Sequence, residues 1–200
     1  WLHAYNSAER TEATLICFPG IGQSSAYFQK WEKAFTNQNI LFCAVCLPGR
    51  LNRASEECAT SIKDISIAVF LALKSMNMVE KVPHKDDNES VNRPLVFFGH
   101  DLGCLIAYEV AKLLQDYKYA LKAMVVSAAP SPYQQGQNKY GKKVCFLSDK
   151  ELMQRMEELG GIPRILHGRK DFLSYFLPMF RSDYYLYDKY TISLPASVEA

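Results

Sequence analysis

Leu95-Val96-Phe97-Phe98-Gly99-His100-Asp101-Leu102-Gly103-Cys104-Leu105 is the stretch on which the fold turns. The apolar run after Pro94 reads as a buried strand, Gly99 ends it, and the pattern continued by Leu105, Tyr108 and Leu113 reads as an amphipathic helix. Asp101 stands between them, with a glycine two residues before it and another two residues after it. A strand that turns directly into a helix thrusts the residue at the turn outward, and a Cβ at either flanking glycine would strike backbone. The spacing therefore predicts a tight elbow presenting the Asp101 side chain.

Three further apolar runs stop at turn residues in the same way. Thr14 to Phe18 meets Pro19-Gly20, Leu41 to Leu47 meets Pro48-Gly49, and Lys122 to Ala128 is followed by Pro130. Near-continuous apolar strands of this kind predict a parallel sheet covered on both faces. Between them lie helical patterns. Tyr27, Trp31 and Phe35 recur every four residues; Ile62, Ile65, Val69, Leu73 and Met76 form a stripe behind a Ser61/Asp64 capping pair. Alternating strands and helices specify a doubly wound α/β domain.

Two segments interrupt the alternation. Val82 to Arg93 is polar and reads as a surface loop. From about 148 to 190 the chain has a Ser148/Glu151 capping box, an apolar stripe of Leu152, Met156 and Leu159, and a stop at Gly160-Gly161. Phe172, Leu173, Tyr175, Phe176, Leu177, Met179 and Phe180 then crowd around Pro178, more apolar surface than one helix stripe requires. This segment is expected either to be a helical lid over a hydrophobic channel or to be a helix pair packed on the sheet. No internal repeat or low-complexity tract is present.

Composition narrows the function. The 200 residues, 48% apolar, fit one globular domain, and 23 basic against 21 acidic residues leave a net charge of +2, without the basic excess of a nucleic-acid binder. No apolar run approaches the roughly 18 residues of a membrane span, and the first residues form no signal peptide, so a cytoplasmic location is expected. The six cysteines read as buried, reduced thiols; in Cys43-x-x-Cys46 the two side chains point to opposite faces of a strand and cannot grip one metal. No P-loop, G-x-G-x-x-G or H-E-x-x-H occurs, so neither cofactor nor metal is expected.

The glycine-bracketed elbow is the setting of the nucleophile in α/β-hydrolases. Leu15-Ile16-Cys17-Phe18-Pro19 with Gly22, Leu47-Pro48-Gly49-Arg50, Phe97-Phe98-Gly99-His100, Leu159-Gly160-Gly161-Ile162-Pro163 and Leu177-Pro178-Met179-Phe180-Arg181-Ser182-Asp183 follow in family order. Together they resemble the type II thioesterases of fatty-acid and polyketide synthases, including medium-chain and oleoyl acyl-carrier-protein hydrolases. The resemblance implies an α/β-hydrolase fold over 1–200 with a lid at about 148–190. It also implies hydrolysis of an acyl thioester borne on the phosphopantetheine arm of an acyl carrier protein or synthase. It places Asp101 at the nucleophile position and the backbone N–H groups of Ile21 and Leu102 in the oxyanion hole, where each donor stabilises the tetrahedral intermediate by roughly 3–4 kcal/mol. Leu152, Met156, Phe172, Phe176 and Met179 are its acyl-channel or lid candidates.

The chain departs from the family in two ways. Asp101 replaces the nucleophilic serine, and a carboxylate would give a mixed anhydride and offers no proton for a histidine to remove. At a helix N-terminus an ionised aspartate is favoured and is expected to occupy the hole it borders. The family's acid and histidine lie on later loops, whereas this sequence ends at Ser197-Val198-Glu199-Ala200, so a C-terminally truncated domain is expected. His3, His84, His100 and His167 read as surface or packing residues. Three readings follow: an acyl-carrier-protein thioesterase, a non-catalytic relative that binds acyl chains or carrier protein, and a hydrolase of the epoxide-hydrolase kind, in which aspartate is the nucleophile.

Overall fold

The structure, a computed structural model, describes residues 1–7, 11–35, 38–83, 93–131, 143–159 and 169–192. The described residues form two compact units, Trp1–Ala129 and Pro130–Ala200.

The first unit is a five-stranded sheet with helices. Its strands are β1 (Leu2–Ala4), β2 (Ala13–Phe18), β3 (Ile40–Val45), β4 (Leu95–His100) and β5 (Ala123–Ser127), in spatial order β1-β3-β2-β4-β5. The four expected strands pair in parallel, with Ile16 opposite both Cys43 and Phe97, and Phe98 opposite Val125. Ile16, Cys17, Phe18, Phe42, Cys43, Ala44, Val45 and Phe97 are fully buried at the centre. The helices are α1 (Glu32–Phe35), α2 (Ile62–Ser75) and α3 (Leu102–Asp116); α2 packs on α3, and α3 on β2 and β4. Ser61 caps α2 as expected, its hydroxyl accepting the Asp64 N–H at 3.2 Å.

Three features differ from the sequence reading. β1 was not foreseen: it pairs antiparallel with Cys43–Val45, so that His3 belongs to an edge strand, and three residues are too few to set up a periodicity. The Tyr27/Trp31/Phe35 pattern folds mainly as a 3-10 helix, Ser25–Trp31, and only its end continues as the single turn of α1. A three-residue repeat puts Phe28 and Trp31 on one face, edge to face at 5.4 Å, with Phe28 buried and Tyr27 turned outward. Finally, among the described residues β5 is the last strand of the sheet, and its Val125 and Val126, on opposite faces, are 48% and 54% exposed where the apolar run predicts burial.

The second unit contains a 3-10 turn (Val144–Phe146), α4 (Asp149–Glu158) and α5 (Lys170–Lys189). The expected capping box opens α4: Ser148 and Glu151 exchange bonds of 3.3 and 2.7 Å. Arg181 on α5 donates to the carbonyls of Cys145 and Leu147 at 2.9 and 2.7 Å and to Asp149 Oδ1 at 2.6 Å, which joins α5 to the start of α4. Gly160-Gly161, most of Val82 to Arg93, His84, His167 and Ser197–Ala200 lie outside the described residues. Among the described residues no helix is long and apolar enough to cross a membrane.

Candidate active site

Asp101 joins β4 to α3 with φ 50° and ψ −118°, a conformation that L side chains rarely adopt and that costs of order 1–3 kcal/mol. Its neighbours hold it there. The Asp101 N–H donates to Ser127 O at the end of β5 (2.9 Å), and its carbonyl accepts the Cys104 N–H (3.0 Å). The glycines have the steric role read from their spacing. A Cβ on Gly99 would lie 2.7 Å from Cys104 Cα, and one on Gly103 would lie 2.1 Å from the Phe18 carbonyl oxygen.

The loop after β2 closes on this elbow. The Ile21 N–H donates to Asp101 Oδ2 at 3.1 Å, so one expected oxyanion donor reaches the Asp101 side chain. Leu102, whose N–H is the other expected donor, is buried as the first residue of α3. Gly20 to Gln23 form a tight turn, with Gln23 N–H to Gly20 O at 3.1 Å and Gly22 at φ 70°. The Gln23 side chain returns to the turn, its Oε1 accepting the Gly20 N–H at 3.0 Å. Arg50, only 4% exposed, donates from Nη1 to the Gln23 carbonyl at 2.7 Å.

His100 is turned to other partners. Its Nδ1 lies 3.0 Å from Ser127 Oγ, and its ring stacks on that of Tyr27 at 6.0 Å. Cys104 is buried; its thiol is raised above the ordinary range by burial first and by the nearby Asp101 charge, while the bond to Ser127 O (3.5 Å) opposes this. It stays a protonated thiol at neutral pH, unsuited to nucleophilic attack. The sequence reading missed Ser127, Tyr27, Gln23 and Arg50. Only Arg50 carried a signal, as the end of Leu47-Pro48-Gly49-Arg50, and that signal assigned it no role.

In the second unit, the acyl-channel candidates Leu152, Met156 and Met179 are buried. Phe176 is partly exposed and contacts Phe180 at 6.2 Å between ring centres. The hydroxyl of Tyr184 donates to Met156 Sδ at 3.5 Å. The Phe172 side chain lies outside the described residues.

The comparisons with known proteins cover the same elements. The family model described as Thioesterase domain matches residues 13–199. The chain is 29% identical over 195 residues to the linear gramicidin dehydrogenase LgrE of Brevibacillus parabrevis, covering 95% of this chain and 67% of that protein. It is 29% identical over 183 residues to the medium-chain S-acyl fatty acid synthase thioesterase of Rattus norvegicus, covering 91% of this chain and 64% of that one. The chain thus spans about two thirds of the length of these curated relatives. The structure of the type II thioesterase BorB, from the borrelidin biosynthetic cluster, superposes with a TM-score of 0.78 at 27% identity, over 98% of this chain and 72% of that one. Since the family match runs through the sheet, the elbow and the helices that follow, the chain belongs to the thioesterase domain family, as a type II member with the α/β-hydrolase fold.

Proposed function

We propose that this domain receives an acyl chain presented as a thioester on the phosphopantetheine arm of an acyl carrier protein or synthase, and that Asp101 keeps the thioester from being hydrolysed. The bond from the Ile21 N–H to Asp101 Oδ2 carries this reading. An amide suited to a developing oxyanion is already satisfied by a standing negative charge, and that charge opposes a second one beside it. A carboxylate adding to a thioester carbonyl would have to expel the pantetheine thiolate to leave a mixed anhydride, and the thiolate attacks that anhydride to re-form the more stable thioester and free the carboxylate.

The test is paired hydrolysis by the full-length protein, with Asp101 and with Asp101→Ser, against medium- and long-chain acyl-pantetheine thioesters. We expect no acid release with Asp101 and turnover with Asp101→Ser. Release by the Asp101 protein that disappears in Asp101→Asn would overturn the proposal.

The same bond also favours a second reading. A carboxylate oriented by an amide at a strand-to-helix turn is placed to attack a saturated carbon. The attack would open an epoxide to an ester that water then cleaves. A mass increase on the Asp101 peptide after exposure to an epoxide panel would select this reading; an unmodified peptide would remove it.

A further inference from the structure

We propose that Gln23 and Arg50 are positioning residues that aim the Ile21 N–H at the reacting centre. The inference rests on the reading of Ile21 as an oxyanion donor and assigns the machinery that holds it. Successive amides in a tight turn cannot all face one way, and here the two ends of the turn that carries Ile21 are held by named partners. The Gly20 N–H is taken by Gln23 Oε1, the Gly20 carbonyl accepts the Gln23 N–H, and the Gln23 carbonyl accepts from Arg50 Nη1. With Gly20 and Gln23, the ends of the turn, held in this way, the Ile21 N–H points to Asp101 Oδ2.

The turn has little room to adjust. A Cβ on Gly20 would lie 3.1 Å from Asp101 Cβ and 3.1 Å from both His100 Cδ2 and the His100 carbonyl oxygen, so the loop already rests against the elbow. Arg50 is itself anchored by backbone: the Gly49 N–H donates to Arg53 O and the Arg53 N–H to Arg50 O, both at 3.0 Å. Gly49 turns there at φ 80°, where a Cβ would lie 2.4 Å from Cys58 Sγ. The guanidinium bond to the Gln23 carbonyl is charge-assisted and nearly withdrawn from water, which makes it stiffer than a neutral surface bond. The Pro48-Gly49-Arg50 turn after β3 and the Gly20–Gln23 turn after β2 thus act as one brace behind the Ile21 amide.

Gln23→Met keeps the side-chain length and removes the acceptor, whereas Gln23→Glu restores an acceptor oxygen. In full-length protein carrying Asp101→Ser, Gln23→Met is expected to lower kcat on the order of tenfold with KM changed by less than about twofold, and Gln23→Glu to recover most of the loss. The second readout needs no turnover. In the Asp101 protein, the Ile21 amide proton resonance is expected to move in Gln23→Met and in Arg50→Lys and to return in Gln23→Glu, while the β1 amide resonances stay in place and report an intact sheet. An Ile21 resonance unmoved by both Gln23→Met and Arg50→Lys overturns the brace, whatever the activity. Equal loss of kcat in Gln23→Met and Gln23→Glu overturns it as well. If Asp101→Ser shows no turnover while the Ile21 resonance responds as expected, the brace stands and the reading of Asp101 as the only block to hydrolysis fails.

Discussion

Gly103 faces the carbonyl of Phe18 across the junction of β2 and α3, and a methyl group there would sit 2.1 Å from the Phe18 oxygen. Neither neighbour is the end of a flexible side chain, so the clash can be relieved only by moving the helix or the central strand. Gly103→Ala should therefore destabilise the fold by more than about 3 kcal/mol, read as a lower urea midpoint or as loss of soluble protein. Gly20→Ala meets its nearest atoms at 3.1 Å and should be the milder change in the same measurement. The glycine roles were legible because they depend only on spacing around a strand-to-helix turn. The partners of the elbow were not: Ser127 lies on β5, and the Arg50 bond joins two turns that come together only when the parallel sheet forms.

At the scale of elements, the strands legible in sequence were those whose apolar runs end at proline or glycine. β2, β3, β4 and β5 fall close to where those runs put them. β1 escaped because Leu2-His3-Ala4 is too short to carry a pattern, and its place is set by pairing with Cys43–Val45 rather than by its own sequence. Tyr27, Trp31 and Phe35 misled because aromatic spacing does not say which ring is buried; Phe28, outside that pattern, is the one that enters the core with Cys17, Phe42 and Ala44. Capping was read more securely, since it depends on side chains three residues apart. In α4, Ser148 and Glu151 satisfy each other's backbone N–H groups, so Ser148→Ala should cost about 1 kcal/mol. Loss of helical circular dichroism at lower urea concentration would register it. A midpoint unchanged by Ser148→Ala would mean that α5, through Arg181, alone holds the start of α4.

The behaviour of the first unit as a whole depends on how its core responds to alkali. Cys17 on β2 and Cys43 on β3 are fully buried on neighbouring strands, and burial pushes their thiols from 9.0 up to about 12 and about 11; Cys43 adds to the effect at Cys17. Tyr5, bonded to the Ser25 carbonyl, is also raised to about 12, with burial outweighing that bond. The sign follows from proton counting. Above the unfolded thiol value the unfolded chain has released protons that the folded chain still holds, so stability falls as pH rises through that window and is unaffected by these groups below it. Each thiol contributes a slope of up to about 1.4 kcal/mol per pH unit. Urea unfolding followed from about pH 8 to about pH 11 should therefore show a nearly flat stability and then a decline. Cys17→Ala lowers stability everywhere by leaving a cavity but should make the alkaline decline shallower, because one titrating group is gone. The slope separates the two effects, since a cavity shifts the curve without tilting it. An unchanged slope in both Cys17→Ala and Cys43→Ala would place the alkaline loss outside the β2–β3 core, with Tyr5 on the β1 side and Cys104 on α3 as the other raised groups of the first unit.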